Sequence, residues 1–247
     1  MPRKTSAPAE FAFRMRGKQH VTRLECFSDC VFAFALTLLV VSLEVPKSYS
    51  ELTNAMRGMV AFGFCFFVLF GLWSRHHTFF RRYGLEDRTT IALTGCLLFV
   101  ILGYVYPLKF LSLVTVDFWL GDSGKAHMMF TKGHEIEEVR GLFLLYGSGL
   151  VATSLLFYLF YAHALRKRTE LELTEVETFD TRWFAREHLL QSLVPIFATT
   201  LAYVLPPDEI GVAGFSYFLY AVTGFMHGSM HGKGRRELIE RQAPSGP

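Results

Sequence analysis

Arg23-Leu24-Glu25-Cys26-Phe27-Ser28-Asp29-Cys30-Val31-Phe32-Ala33-Phe34-Ala35-Leu36-Thr37-Leu38-Leu39-Val40-Val41 is the stretch that decides the fold. From Cys30 onward it carries no charge until Glu44. A helix rises about 1.5 Å per residue and the hydrocarbon of a bilayer is about 30 Å thick, so about 20 mostly apolar residues cross it. Extended to Val45, this run is read as a membrane-spanning helix over residues 27–45.

Working outward, five further stretches have the same character: residues 56–74, 91–111, 141–165, 189–205 and 210–230. The fifth span is the shortest and contains Pro195. Proline and glycine do not argue against helices here, because neighbouring helices can satisfy the freed backbone groups. The expected fold class is therefore all-α, a polytopic membrane protein with six transmembrane helices in a single domain over residues 1–247. Composition agrees. Of the 247 residues, 51% are hydrophobic and 25 are phenylalanine, and they are gathered in blocks rather than spread at the period of a surface helix.

Six spans place the N-terminal arm, the second and fourth connections and the C-terminal tail on one side, and these hold most of the 25 Lys and Arg residues. The positive-inside rule then puts both termini in the cytoplasm and the chain in the cell membrane. Arg3, Lys4, Arg14, Arg16 and Lys18 are explained by this orientation and by anionic lipid, so no nucleic-acid partner is expected. The segment from Arg166 to Glu187, rich in both signs, reads as a solvated helical extension, and Lys132 to Arg140 as a short helix.

Chemistry-bearing motifs are few. There is no H-E-x-x-H, G-x-S-x-G, Walker or dinucleotide fingerprint, so no enzymatic activity and no cofactor are expected. Cys26 and Cys30 lie four apart, as do His227 and His231, but no third ligand accompanies either pair, and no metal site is assigned.

The first span differs from the rest in carrying Arg23, Ser28 and Asp29 at its mouth, groups that are costly at a membrane helix unless partnered. R-x-x-x-F-S-D opening a first helix resembles the signature of the transmembrane protein 175 family, the endosomal and lysosomal potassium channels and their prokaryotic relatives. Thr37-Leu38-Leu39-Val40, Trp73 with His76 and His77, and Pro107 in the third span support it. The resemblance covers three spans by motif and the last three by hydropathy. It implies a potassium-permeable cation channel of six-helix subunits, with monovalent cations and the bilayer as partners. Because this chain has one copy of the motif, it also implies a homotetramer whose first helices line the pore.

At about 100° per residue, Phe27, Phe34, Leu38 and Val41 fall on one stripe of the first helix. Taken alone, such a row also arises from ordinary helix packing. By the resemblance, Phe34, Leu38 and Val41 form the apolar pore constriction, with Phe27 and Thr37 beside it. Glu44 is expected near the pore mouth or as a solvated interfacial charge. Asp29 points about 140° away from Phe34 and is expected to face the bundle interior. Arg23, Ser28, Asp29, Trp73 and His77 are read as a polar clasp between the first two spans. The competing reading, a proton-coupled or other secondary transporter, requires an ionisable site near mid-membrane, and the spans offer almost none.

Overall fold

A computed structural model describes residues 12–17, 21–41, 47–119 and 130–242. The described residues form helices and turns without strands: α1 (Arg23–Val41), α2 (Tyr49–Tyr83), α3 (Arg88–Trp119), α4 (Glu135–Arg166), α5 (Glu175–Val204), α6 (Ile210–Phe215) and α7 (Leu219–Gln242). The last two are joined through a short tight-helical turn, Ser216–Phe218.

Local sequence explains the helix starts. Thr22 and Glu25 exchange bonds at the head of α1, the Thr22 hydroxyl accepting from Glu25 N–H at 3.2 Å and the Glu25 carboxylate from Thr22 N–H at 3.0 Å. Thr174 and Glu177 repeat this reciprocal arrangement at α5. Asp87 accepts from Thr90 N–H at 3.1 Å and so caps α3.

Arg23–Val41, Gly58–Tyr83, Arg88–Val116, Glu135–Arg166 and the run Pro207–Gln242 are each long and apolar enough to cross a membrane. The expected fifth span, residues 189–205, lies within α5 up to Val204, and α5 falls short of that apolarity. The reason is its inner face, where His188, Gln191, Ser192 and Pro195 are buried. Helix boundaries also differ from expectation. α2 continues well past Ser74 to Tyr83, and Glu135–Arg140 is the first part of α4 rather than a separate helix. The segment expected to be solvated is so only in part: Arg166, Arg168, Glu170, Glu172, Glu175, Arg182 and Arg186 are exposed, whereas Val176, Glu177, Asp180 and Thr181 are buried.

Most of the core is one cluster in which Phe32, Ala35 and Leu39 of α1 meet Cys65, Leu69, Phe79 and Phe80 of α2, Leu97, Ile101 and Val105 of α3, and Phe157, Phe160 and Tyr161 of α4. α5 packs along α4 more extensively than any other pair. At one end of the bundle, the arm before α1 meets the end of α2 and the start of α5, and Gln242 at the end of α7 donates to Glu175 at 2.5 Å. At the other end, Arg140 at the head of α4 donates to the carbonyls of Ala202 and Leu205.

Candidate pore helix and its polar contacts

Ser28, Phe32, Ala35 and Leu39 are the buried residues of α1, recurring at the i, i+4, i+7, i+11 spacing of a single helix face. The Ser28 hydroxyl is satisfied locally, donating to the Leu24 carbonyl at 2.8 Å. The opposite face carries Phe27, Phe34 and Val41, which are 60%, 56% and 73% exposed. These three are seven residues apart, so they drift only about 20° per step around the helix. Thr37 is exposed on the same side and donates its hydroxyl to the Ala33 carbonyl at 2.9 Å. Leu38 differs from its expected stripe partners in being half-buried and packed against the chain's own core. Glu44 lies outside the described residues.

The polar residues at the head of α1 are only partly brought together. Trp73 Nε1 donates to Asp29 Oδ1 at 2.7 Å, and the Trp73 ring stacks on His77 with centroids 5.3 Å apart. Asp29, however, is exposed on the single chain rather than turned into the bundle. It sits one residue, about 100°, round from the buried Ser28, and that step carries it past the packed face. Arg23 is exposed and makes no side-chain bond among the described residues. His76, one residue before His77, is the histidine buried against α1: its ring lies 6.1 Å from Phe32 and 4.6 Å from Phe80. Its Nε2, like the Thr94 hydroxyl on α3, has no hydrogen-bond partner among the described residues.

Three charged constellations escape a reading by composition. Asp87 accepts from Thr90 Oγ1 at 2.5 Å and pairs with His163 Nε2 at 2.7 Å, joining the head of α3 to the end of α4. Burial pushes the Asp87 carboxyl up, but the Thr90 hydroxyl and N–H and the His163 ring outweigh it and hold it at about 2. Asp180, buried on α5, pairs with His231 Nε2 at 2.7 Å and Arg235 Nε at 3.1 Å on α7. His231 is thereby engaged by a carboxylate and stacked on Phe179 with centroids 5.8 Å apart. His227 lies against Trp183, with Nδ1 4.0 Å from Glu187.

The third constellation is centred on Glu177. Its Oε1 accepts from Arg14 N–H at 2.8 Å, and its Oε2 from Arg16 Nη2 at 2.5 Å and Thr174 N–H at 3.0 Å. Burial raises this carboxyl, yet the Arg16 guanidinium, the two backbone N–H groups and Arg14 overcome that and set it at about 2. Arg16 is therefore committed to a carboxylate inside the protein, and Arg14, whose side chain is half exposed, joins it at 3.4 Å. The sequence signal for this was the pair Thr174 and Glu177, which reads as a capping box.

Residues 23–104, from the head of α1 into α3, match the family described as endosomal/lysosomal potassium channel TMEM175. A protein of Marivirga tractuosa named "Potassium channel" is 36% identical over 233 residues, covering 92% of this chain and 94% of that one. The crystal structure of a variant of the potassium channel MtTMEM175 superposes with a TM-score of 0.76 at 35% identity, covering 90% of this chain and 97% of the other. The structure of a lysosomal potassium-selective channel TMEM175 homolog from Chamaesiphon minutus shares the fold, with a TM-score of 0.51 at 21% identity over 83% of this chain and 96% of that one. With a motif-bearing first helix, an all-helical bundle and a relative alike over nearly its whole length, this chain belongs to the TMEM175 family.

Proposed function

We propose that the protein is a potassium-permeable cation channel of the cell membrane, with both termini cytoplasmic. Four copies surround one pore, lined by α1 from each. Phe34, Leu38 and Val41 form its apolar constriction, and Phe27 and Thr37 line the same path. The observation that carries this reading is the pair of faces on α1. One is filled by the chain's own core, while Phe27, Phe34 and Val41 opposite it are large, apolar and uncovered. A ring of such side chains at a symmetric axis gates by excluding water. The relatives named as potassium channels support the choice of ion. Asp29, Trp73 and His77 tie the head of α1 to α2, with Ser28 on the packed face beside them and Arg23 at the helix start as the remaining member of the proposed clasp. The side bearing most Lys and Arg faces the cytoplasm.

Phe34→Ala tests the assignment directly. Potassium flux into liposomes, normalised to reconstituted protein, should rise as truncation widens and wets the constriction. Unchanged or reduced flux from a folded variant removes Phe34 from the pore.

A further inference from the structure

We propose that the arm Arg14–Gly17 is a strap that sets the position of the pore helix, with Glu177 as its positioning residue. The inference rests on the reading of α1 as pore-lining. Five residues, 18–22, separate Gly17 from Arg23, the first residue of α1. The six Cα-to-Cα steps from Gly17 to Arg23 reach at most about 22 Å, so whatever holds the arm limits how far the head of α1 can move.

Two independent attachments hold it. The first is ionic. The Glu177 side chain is only 3% exposed and receives the Arg14 N–H, Arg16 Nη1 at 3.0 Å, Arg16 Nη2 at 2.5 Å and Arg14 Nη2 at 3.4 Å. Arg16 Nε donates in addition to the Leu171 carbonyl at 2.7 Å, tying the arm to the turn before α5. Lifting the arm would strand a buried carboxylate, which is costly.

The second attachment is steric and does not use the Glu177 carboxylate. Gly17 N–H donates to the Arg81 carbonyl at 3.1 Å and Arg16 N–H to the Arg82 carbonyl at 3.3 Å, so the arm lies backbone to backbone on the end of α2. A Cβ on Gly17 would meet the Phe80 carbonyl oxygen at 2.9 Å. A Cβ on Gly84, whose φ is +59°, would meet the Arg16 carbonyl oxygen at 2.7 Å. Neither side leaves room for a side chain. The Arg82 guanidinium closes the seat, 5.2 Å from the Phe13 ring of the arm and 4.3 Å from the Phe184 ring of α5.

A constriction built from one residue per copy needs every α1 at the same height and rotation, since one residue of slip turns the face by about 100°. The strap limits the travel of the head of α1 from outside the pore, while the packed face Ser28, Phe32, Ala35 and Leu39 sets its rotation. Glu177 acts on conduction through the arm and touches no ion.

Two variants release the strap by different routes: Glu177→Gln weakens the ionic attachment, and Gly84→Ala obstructs the steric seat with every charge intact. Each is reconstituted beside wild type, Phe34→Ala and the conservative Glu177→Asp, with liposome potassium flux and single-channel recordings as readouts. Glu177→Gln and Gly84→Ala should each raise basal flux severalfold through open probability, at unchanged unitary conductance, and Glu177→Asp should keep more of the wild-type behaviour than Glu177→Gln. If one variant is not recovered folded, the other decides. Wild-type open probability in a folded release variant, while Phe34→Ala raises flux, overturns the strap alone. A changed unitary conductance overturns it too, because the residue would then act on the path itself. No effect of Phe34→Ala overturns the pore reading, and the strap with it.

Discussion

Trp73 Nε1 on α2 donates to the Asp29 carboxylate on α1 at 2.7 Å, at an exposed edge of the helix pair. Because the carboxylate is exposed on the single chain, the bond is worth about 1 kcal/mol rather than the larger value of a buried charge-assisted bond. Trp73→Phe keeps a ring over His77 and removes the donor. Its thermal midpoint in detergent should fall by a few degrees, with the ratio of potassium to sodium permeability unchanged. A shifted ratio at normal stability would place Asp29 in the conduction path instead.

Phe32 and Phe34 lie two residues apart on α1 and face opposite environments, 4% and 56% exposed. Phe32→Ala should open a cavity beside His76 and cost about 3–5 kcal/mol. Phe34→Ala should cost far less in the isolated subunit, because more than half of that residue is uncovered by the described chain. Chemical denaturation of the two variants side by side checks this, and equal losses would contradict the described orientation of α1.

Acid should uncouple the Glu177 junction. Its carboxyl is held at about 2 in the folded chain, below the ordinary carboxylate value near 4.3, so the contribution is fully present above that ordinary value and is lost as pH falls toward about 2. The shift corresponds to something on the order of 2–3 kcal/mol. The stability gap between wild type and Glu177→Gln should therefore be widest above about pH 4.5 and close as pH falls toward 2. Asp87, also held at about 2, titrates over the same window, and Asp87→Asn should show the same closure. A gap independent of pH would mean that the lost charge is not what matters.

Asp180 relies on two residues of α7 for its charge compensation, His231 at 2.7 Å and Arg235 at 3.1 Å, while its own side chain is 6% exposed. Removing both partners in His231→Phe with Arg235→Ala strands the carboxylate, which can cost about 3–5 kcal/mol. Limited trypsin digestion should then cut at Arg236 or Arg241 faster than in wild type. Adding Asp180→Asn to the double variant should restore part of the resistance. Digestion at the wild-type rate would show that α7 is held by its apolar contacts alone.

The sequence by itself determined the helices, because hydrocarbon thickness and the rise per residue act on contiguous residues. The apolar runs after Asp29, in residues 56–74 and in 91–111 are legible one segment at a time. It also placed Phe27, Phe34 and Val41 on one face, since their spacing of seven is a local property of the helix.

Tertiary structure alone decided which polar groups meet. Arg14 and Glu177 are 163 residues apart, Asp87 and His163 are 76 apart, and no periodicity connects them. A charged segment such as residues 166–187 reads as solvated when each charge is counted singly, and burial becomes affordable only once its partner is known. The same limit applies to α5, whose apolarity is diluted by His188, Gln191 and Ser192 because these residues face the bundle. It applies to Asp29 as well: helix geometry gave its angle from Phe34, but only the packing of α1 on Ser28, Phe32, Ala35 and Leu39 decided that it lies outside the core, within reach of Trp73.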